Sequence, residues 1–68
     1  MDIIVNGRTT QVDENLDVTQ VLERLGFGGK LVAVELNYEI VPRERYTAYR
    51  LREGDRLEIV QAIGGGSG

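Results

Sequence analysis

Residues 1–12 carry the hydrophobic and polar pattern of a β-hairpin. Residues 3–5 are a β-branched run that stops at Asn6-Gly7, and residues 9–12 resume a β-type pattern. Asparagine and glycine both tolerate a positive φ, which the tight turn between two antiparallel strands requires. The pattern therefore predicts two strands joined by a two-residue turn.

A helical pattern follows the hairpin. Apolar residues recur at spacings of three and four, which places them on one helix face. They are Val18, Val21, Leu22 and Leu25. We predict Asp17 as the N-cap, because Gln20 stands three residues later and completes a capping box. Gly26 suits the position after the helix, where Phe27 can fold back onto the last turn.

The next segment returns to strand-like sequence. Residues 31–36 predict a largely buried strand, and residues 40–41 predict a shorter extended piece that Pro42 ends. Residues 43–49 have no regular period, so we expect 3₁₀ or irregular structure there. The three tyrosines of the chain fall near this segment, and we expect them to be half-buried packing residues. They are Tyr38, Tyr46 and Tyr49.

A turn at residues 53–55 introduces the last predicted strand, residues 56–63. Alternation along a strand separates its two faces. One face carries Leu57, Ile59 and Ile63, and the other carries Arg56, Glu58, Val60 and Ala62. A single helix can cover one sheet face, so we predict an α+β fold with a mixed sheet of four to five strands. The predicted domain is 1–63, followed by a flexible glycine-rich tail, 64–68.

Composition limits the chemistry that the chain can perform alone. Its 68 residues are enough for one domain. There is no cysteine and no histidine, which excludes disulfides, thiolate ligands and the commonest proton shuttle and zinc ligand. Ser67 is the single serine and has no histidine to activate it. We therefore expect no metal, no cofactor and no enzymatic activity of the chain by itself.

Charge and hydropathy limit its partners. The net charge is −3 and the basic residues form no block, so nucleic-acid binding is not expected. No stretch approaches the roughly 20 apolar residues of a membrane span. The start of the sequence also lacks the basic and long apolar regions of a signal peptide. We expect a cytoplasmic protein that binds neither nucleic acid nor membrane.

An ordered series of segments gives the sequence a family resemblance. The segments are Val-Ala-Val-Glu-Leu-Asn at 32–37, Ile-Val-Pro-Arg-Glu at 40–44, Glu-Gly-Asp at 53–55 and Gln-Ala-Ile-Gly-Gly-Gly at 61–66. Together they resemble the ThiS family of thiamine-pathway sulfur carriers, over essentially the whole chain up to Gly66. The small subunit of molybdopterin synthase shares the tail, but it is usually longer and lacks the Val-Pro-Arg-Glu segment.

The resemblance implies a ubiquitin-like β-grasp fold and a reaction cycle run by partner enzymes. An adenylyltransferase of the ubiquitin-activating type uses ATP to attach AMP to the terminal glycine carboxylate. Sulfur from a donor such as a cysteine desulfurase then gives a thiocarboxylate, which thiazole synthase consumes. Gly66 matches the acceptor glycine and Gly65 its partner in the diglycine, and the free carrier is expected to be a monomer.

Several alternatives remain open at the level of sequence. Val60 and Ala62, with Ile4 beside them, form either a docking patch for the adenylyltransferase or a set of small residues beneath a loop. The family members generally stop at or just after the diglycine, so Ser67-Gly68 is native, removed by processing, or a cloning remnant. The function itself has two alternatives: sulfur carriage for molybdopterin or another pathway, and a β-grasp module that only binds proteins.

Overall fold

A computed structural model describes residues 1–61, which contain one β-sheet, one α-helix and one 3₁₀ helix. The elements in chain order are β1 (Asp2–Val5), β2 (Arg8–Gln11), α1 (Val18–Arg24), β3 (Val32–Leu36), β4 (Glu39–Ile40), the 3₁₀ helix (Arg43–Ala48) and β5 (Arg56–Gln61). Predictions that concern residues 62–68, including the boundary between the 1–63 domain and its tail, lie outside the described residues.

The sheet is mixed, and its last strand in sequence lies at its centre. The five strands are ordered β2-β1-β5-β3-β4. Strand β5 runs parallel to β1 and antiparallel to β3, while the outer pairs β1–β2 and β3–β4 are antiparallel. The predicted α+β class, with four to five strands and one helix, is confirmed. The strand that leads into the C-terminal residues is therefore held on both sides.

The hairpin between β1 and β2 forms where the sequence predicts it. Asn6 has φ 50° and Gly7 has φ 85°, so both turn residues are left-handed as this tight turn requires. The register places Ile3 opposite Thr10 and Val5 opposite Arg8. The local sequence is enough to predict this element, because the turn chemistry and the flanking patterns agree.

Helix α1 is closed at both ends by the predicted residues. The Asp17 carboxylate accepts a hydrogen bond from the Gln20 N–H at 2.9 Å, and the Gln20 side chain accepts one from the Asp17 N–H at 3.0 Å. At the other end Gly26 has φ 91°, and the Phe27 N–H donates to the Leu22 carbonyl at 2.8 Å. These are the bonds of a capping box and of a Schellman motif.

The core lies between α1 and one face of the sheet. Its buried members are Ile3, Leu16, Val18, Val21, Leu22, Val34, Val41, Leu51, Leu57 and Ile59. The predicted helix face is confirmed, with Leu25 partly buried against the same cluster. Leu57 and Ile59 of the central strand belong to that cluster, as the alternation along the last strand predicts. The opposite sheet face has no helix over it within residues 1–61.

Two strand predictions need correction. Residues 31–36 are not largely buried: Val34 is the one buried residue of β3, and Leu31 precedes the strand and is 61% exposed. The run is apolar on both faces, but α1 covers only one of them. The short strand is Glu39–Ile40, one residue earlier than predicted, and Val41 is buried in the core.

Candidate functional site

The sheet face opposite α1, here called the open face, carries the predicted docking residues. Ile3, Val34 and Leu57 point into the core, so their strand neighbours point to the other side. Cross-strand register then assigns the open face on all five strands. Its residues include Ile4, Thr9, Ala33, Glu35, Ile40, Arg56, Glu58 and Val60.

Val60 lies in an apolar patch that we define as Ala33, Ile40 and Val60. Ala33 is directly opposite Val60 on β3, and Ile40 is opposite Glu35 one strand further out. All three line one shallow groove together with Glu35 and Glu58. Val60 is 64% exposed and Ile40 is 77% exposed. Exposed aliphatic side chains that share a groove are typical of a protein contact surface.

Ile4 lies on the open face but not beside Val60, which corrects the prediction. Its partner on β5 is Arg56, and Val60 stands four residues further along that strand. At about 3.3 Å per residue the separation along the strand is about 13 Å. The arrangement arises because β1 turns away after Val5, whereas β5 continues. Ile4 is also half-buried, on an inner strand of the sheet, and does not belong to the patch.

The sequence interpretation missed Ala33 and Ile40 as members of the patch. Period-two alternation from the apolar Val34 already assigns Ala33 to the opposite face. The Asn37-Tyr38 turn, with φ 51° and 71°, makes β3 and β4 a hairpin and brings Ile40 opposite Glu35. Both signals are local in the sequence. The asparagine at residue 37 predicts the turn that pairs β4 with β3 and so places Ile40 on the open face.

Charged side chains line the patch along the middle of the open face. Glu35 and Glu58 are directly opposite each other on β3 and β5, an unfavourable arrangement for two carboxylates in a free chain. Arg56 contacts Glu58 at 3.3 Å and lies 5.2 Å from the centroid of the Tyr38 ring. Tyr38 is 72% exposed, so its predicted half-buried position is wrong. Its ring stacks on a surface arginine and does not enter the core.

The remaining predicted site residues follow directly after β5. Ala62, Gly65 and Gly66 lie outside the described residues, and their roles stay predictions. The described residues include β5, the strand that precedes these three residues. Val60 lies on the open face of this strand, six residues before Gly66. Among residues 1–61, no three acidic side chains are grouped so that they could hold a metal ion. The helices of this part of the chain are too short or too polar to span a membrane.

A comparison with protein families assigns the chain. The model of the ThiS family matches residues 3–66. The chain belongs to the ThiS family. The predicted resemblance is thereby confirmed, and the match includes the Gly65-Gly66 pair.

Solved structures confirm the fold within the ThiS family. The crystal structure of the thiamine biosynthesis protein ThiS from Geobacter metallireducens is similar to this chain with a TM-score of 0.83 and 39% identity. The match covers 97% of this chain and 100% of the Geobacter chain. The five-stranded mixed sheet with one helix is therefore the ubiquitin-like β-grasp fold that the family resemblance predicts.

Relatives of known sequence include a sulfur carrier protein and two thiazole synthases. The sulfur carrier protein ThiS of Escherichia coli is 32% identical over 97% of this chain and 100% of its own length. A thiazole synthase of Paramagnetospirillum magneticum is 42% identical over 98% of this chain, but the match covers 21% of that protein. A thiazole synthase of Magnetococcus marinus is 39% identical, with 20% of its length covered. The chain thus spans about one fifth of the length of these two thiazole synthases.

Proposed function

We propose that this ThiS-family chain is a sulfur carrier of thiamine biosynthesis that holds sulfur on its C-terminal glycine and is not itself a catalyst. The observation that carries the proposal is that the family match runs through residue 66 and so includes the diglycine. Relatives in Escherichia coli and Bacillus subtilis are named sulfur carrier proteins. The sequence has no histidine or cysteine to perform the chemistry alone.

The proposed cycle uses a free carboxylate at Gly66, which requires a mature form that ends at Gly66 without Ser67-Gly68. This carboxylate, ionised at neutral pH, attacks the α-phosphorus of ATP and releases pyrophosphate. Hydrosulfide, released by a thiol from the persulfide of a cysteine desulfurase, then displaces AMP and leaves a thiocarboxylate. A partner adenylyltransferase of the ubiquitin-activating type supplies the catalytic groups. Glycine suits the acceptor position because it has no Cβ to shield the carbonyl carbon or to block a narrow channel. We propose that the reaction takes place in the cytoplasm, where ATP is available to the adenylyltransferase.

The two thiazole synthase relatives support thiazole synthase as the enzyme that receives the sulfur. In each of them a region similar to this whole chain is part of the same polypeptide as the synthase. A carrier domain joined covalently to an enzyme is presented to it at a high effective concentration. This arrangement favours thiazole formation over molybdopterin synthesis as the pathway served.

The adenylyltransferase is proposed to dock on the apolar patch. Ala33, Ile40 and Val60 offer an exposed apolar surface, and Ala62 extends the prediction beyond the described residues. The paired carboxylates of Glu35 and Glu58 favour a partner that places a cationic side chain over them. Ordering a glycine-rich segment costs about 1–2 kcal/mol per residue, which docking of the folded domain must offset.

The test uses carrier chains ending at Gly66 and measures the pyrophosphate that the adenylyltransferase releases from ATP at increasing carrier concentration. Val60→Asp should raise the KM for the carrier by about tenfold or more, because it introduces a charge into an apolar contact. Thr9→Asp is the matched control, since it adds the same charge at an exposed position on the edge strand of the same face. It should change the KM by less than about twofold.

Both variants are first checked for folding by thermal melting. An unchanged KM for folded Val60→Asp would remove the patch from the docking surface. Pyrophosphate release by the chain and ATP without the adenylyltransferase would contradict the carrier function as a whole.

A further inference from the structure

Strand β5 loses its neighbour on the β1 side before it ends. The parallel pairing joins Ile4 with Arg56 and Val5 with Leu57. The chain then turns away at Asn6-Gly7, whose φ angles of 50° and 85° direct it into β2. Strand β5 continues as far as Gln61. Its last described residues therefore extend past the end of β1.

The backbone groups of Ile59 point to this vacated side. On the β3 side, the Asn37 N–H donates to the Arg56 carbonyl at 2.8 Å, which identifies the position opposite Arg56 as a hydrogen-bonded pair. Such pairs alternate along an antiparallel ladder, so the Val34–Ile59 pair is not hydrogen-bonded. The N–H and C=O of Ile59 consequently face away from β3, at a residue that is only 6% exposed. A buried peptide group needs partners, and β1 provides no further strand residue.

The side chain of Asn6 supplies both partners. Its Oδ1 accepts from the Ile59 N–H at 2.7 Å, and its Nδ2 donates to the Ile59 carbonyl at 3.2 Å. The Asn6 backbone N–H also donates to the Leu57 carbonyl at 2.9 Å. A side-chain amide has the same donor and acceptor as a peptide group. The side chain of Asn6 thus takes the place of the next residue of β1 in the hydrogen bonds of the parallel pairing.

We propose that Asn6 is a positioning residue for the sulfur-carrying C-terminus, because its side chain holds β5 at Ile59 on the side where β1 has ended and so fixes the end of the strand that precedes the C-terminal residues. This inference rests on the proposed function. Gly66 follows Ile59 by seven residues, a length of chain that can reach at most about 25 Å. Without the Asn6 bonds, the end of β5 is held on the β3 side alone, through Val60 and Gln61. A strand end held on one side has more conformations to lose when the carboxylate enters the partner's active site.

The chain contains a matched control at the opposite end of β5. Asn37 has φ 51°, nearly that of Asn6, and also holds β5 through its side chain. Its Oδ1 accepts from the Arg56 N–H at 2.9 Å, and its Nδ2 donates to an Asp55 carboxylate oxygen at 3.1 Å. Glycine at either position keeps the positive φ without strain and removes only the side chain. The pair Asn6→Gly and Asn37→Gly therefore differs in which end of β5 is released.

The first measurement is amide hydrogen exchange on each folded variant. Asn6→Gly should speed the exchange of the Ile59 amide by about tenfold or more and leave the Arg56 amide slow. Asn37→Gly should do the reverse.

The second measurement is pyrophosphate release with the adenylyltransferase and ATP. Asn6→Gly should raise the KM for the carrier by about tenfold with little change in kcat. This loss is smaller than the loss expected when the carboxylate is held at a wrong position, because the freed segment can still reach the active site. Asn37→Gly should keep the KM within about twofold.

Each outcome decides a different claim. Equal KM values for the two variants, or an Ile59 amide that stays protected in Asn6→Gly, would overturn this inference and leave the proposed function standing. A chain with Asn6 and Asn37 intact and ending at Gly66 that supports no pyrophosphate release with the adenylyltransferase would overturn the proposed function, and this inference with it. A purely structural role for Asn6 would lower the melting temperature of Asn6→Gly and leave its KM unchanged, which would also overturn this inference.

Discussion

At the scale of single residues, short polar side chains close the ends of several elements. Asp17 caps α1 by local bonds to Gln20, and residue chemistry predicts this from four positions of sequence. Asn6 is predictable as a turn residue, but its bonds to Ile59 span 53 positions and depend on a parallel pairing that no local pattern reveals. The sequence thus predicts caps and turns, whereas it does not predict which distant backbone a turn residue will bond.

The capping role of Asp17 can be separated from its charge. Asp17→Ala should lower the free energy of unfolding by about 1 kcal/mol, because it leaves an amide of the first helical turn without its partner. Asp13→Ala removes the same charge from an exposed ion pair with Arg24, 3.4 Å apart, and should lower it by less than about 0.5 kcal/mol. Urea unfolding of both variants is the measurement. Equal losses would show that the capping bonds contribute nothing beyond charge.

At the scale of elements, the sequence predicts whether a segment is a helix or a strand better than it predicts how buried that segment is and which strands lie beside it. The hairpin, the helix and the 3₁₀ segment all form at or near the predicted positions. The burial of β3 and the place of Ile4 were predicted wrongly, and both depend on the order of strands. An apolar run in the sequence predicts a buried strand whether one face of the sheet or both faces are covered. The insertion of β5 between β1 and β3 is a long-range pairing, which sets both the open face and the distance from Ile4 to Val60.

The main contribution of α1 to stability is the packing of its apolar face against the sheet, and substitutions of two leucines test this contribution. Leu22 is 5% exposed and lies in the core beneath the helix, whereas Leu31 is 61% exposed. Leu22→Ala should lower the free energy of unfolding by about 2–5 kcal/mol, a large part of the total for a domain this small. Leu31→Ala removes the same atoms and should cost less than about 1 kcal/mol. A thermal melt in which Leu22→Ala leaves the midpoint unchanged would contradict the assigned helix face.

At the scale of the whole molecule, the fold places its central strand directly before the residues proposed to carry sulfur. Strand β5 is held by β1, β3 and the Asn6 side chain, and its open face carries Val60 within the apolar patch. The sequence predicts the chemistry of Gly65 and Gly66 through the family motif, because glycine-rich ends are recognisable without any packing. The shape of the patch was only half predictable, since Ala33 and Ile40 join Val60 through pairing between strands.

The most direct test of the sulfur-carrier account is where along the C-terminus sulfur is accepted. Chains ending at Gly68, Gly66, Gly65 and Gly64 would each be incubated with the adenylyltransferase, ATP and a sulfide source. Intact mass spectrometry then measures the replacement of one carboxylate oxygen by sulfur. Two residues beyond Gly66 displace the carboxylate by up to about 7 Å, and a misplacement of about 1 Å can cost on the order of a hundredfold in rate.

The account predicts the fastest conversion for the chain ending at Gly66, or failing that at Gly65, and slow conversion for the chain ending at Gly68. A chain ending at Gly68 that converts as fast as both of these would contradict the assignment of Gly66 as the acceptor. The absence of sulfur from all four chains, under conditions in which Escherichia coli ThiS gains it, would contradict the proposal that this protein carries sulfur.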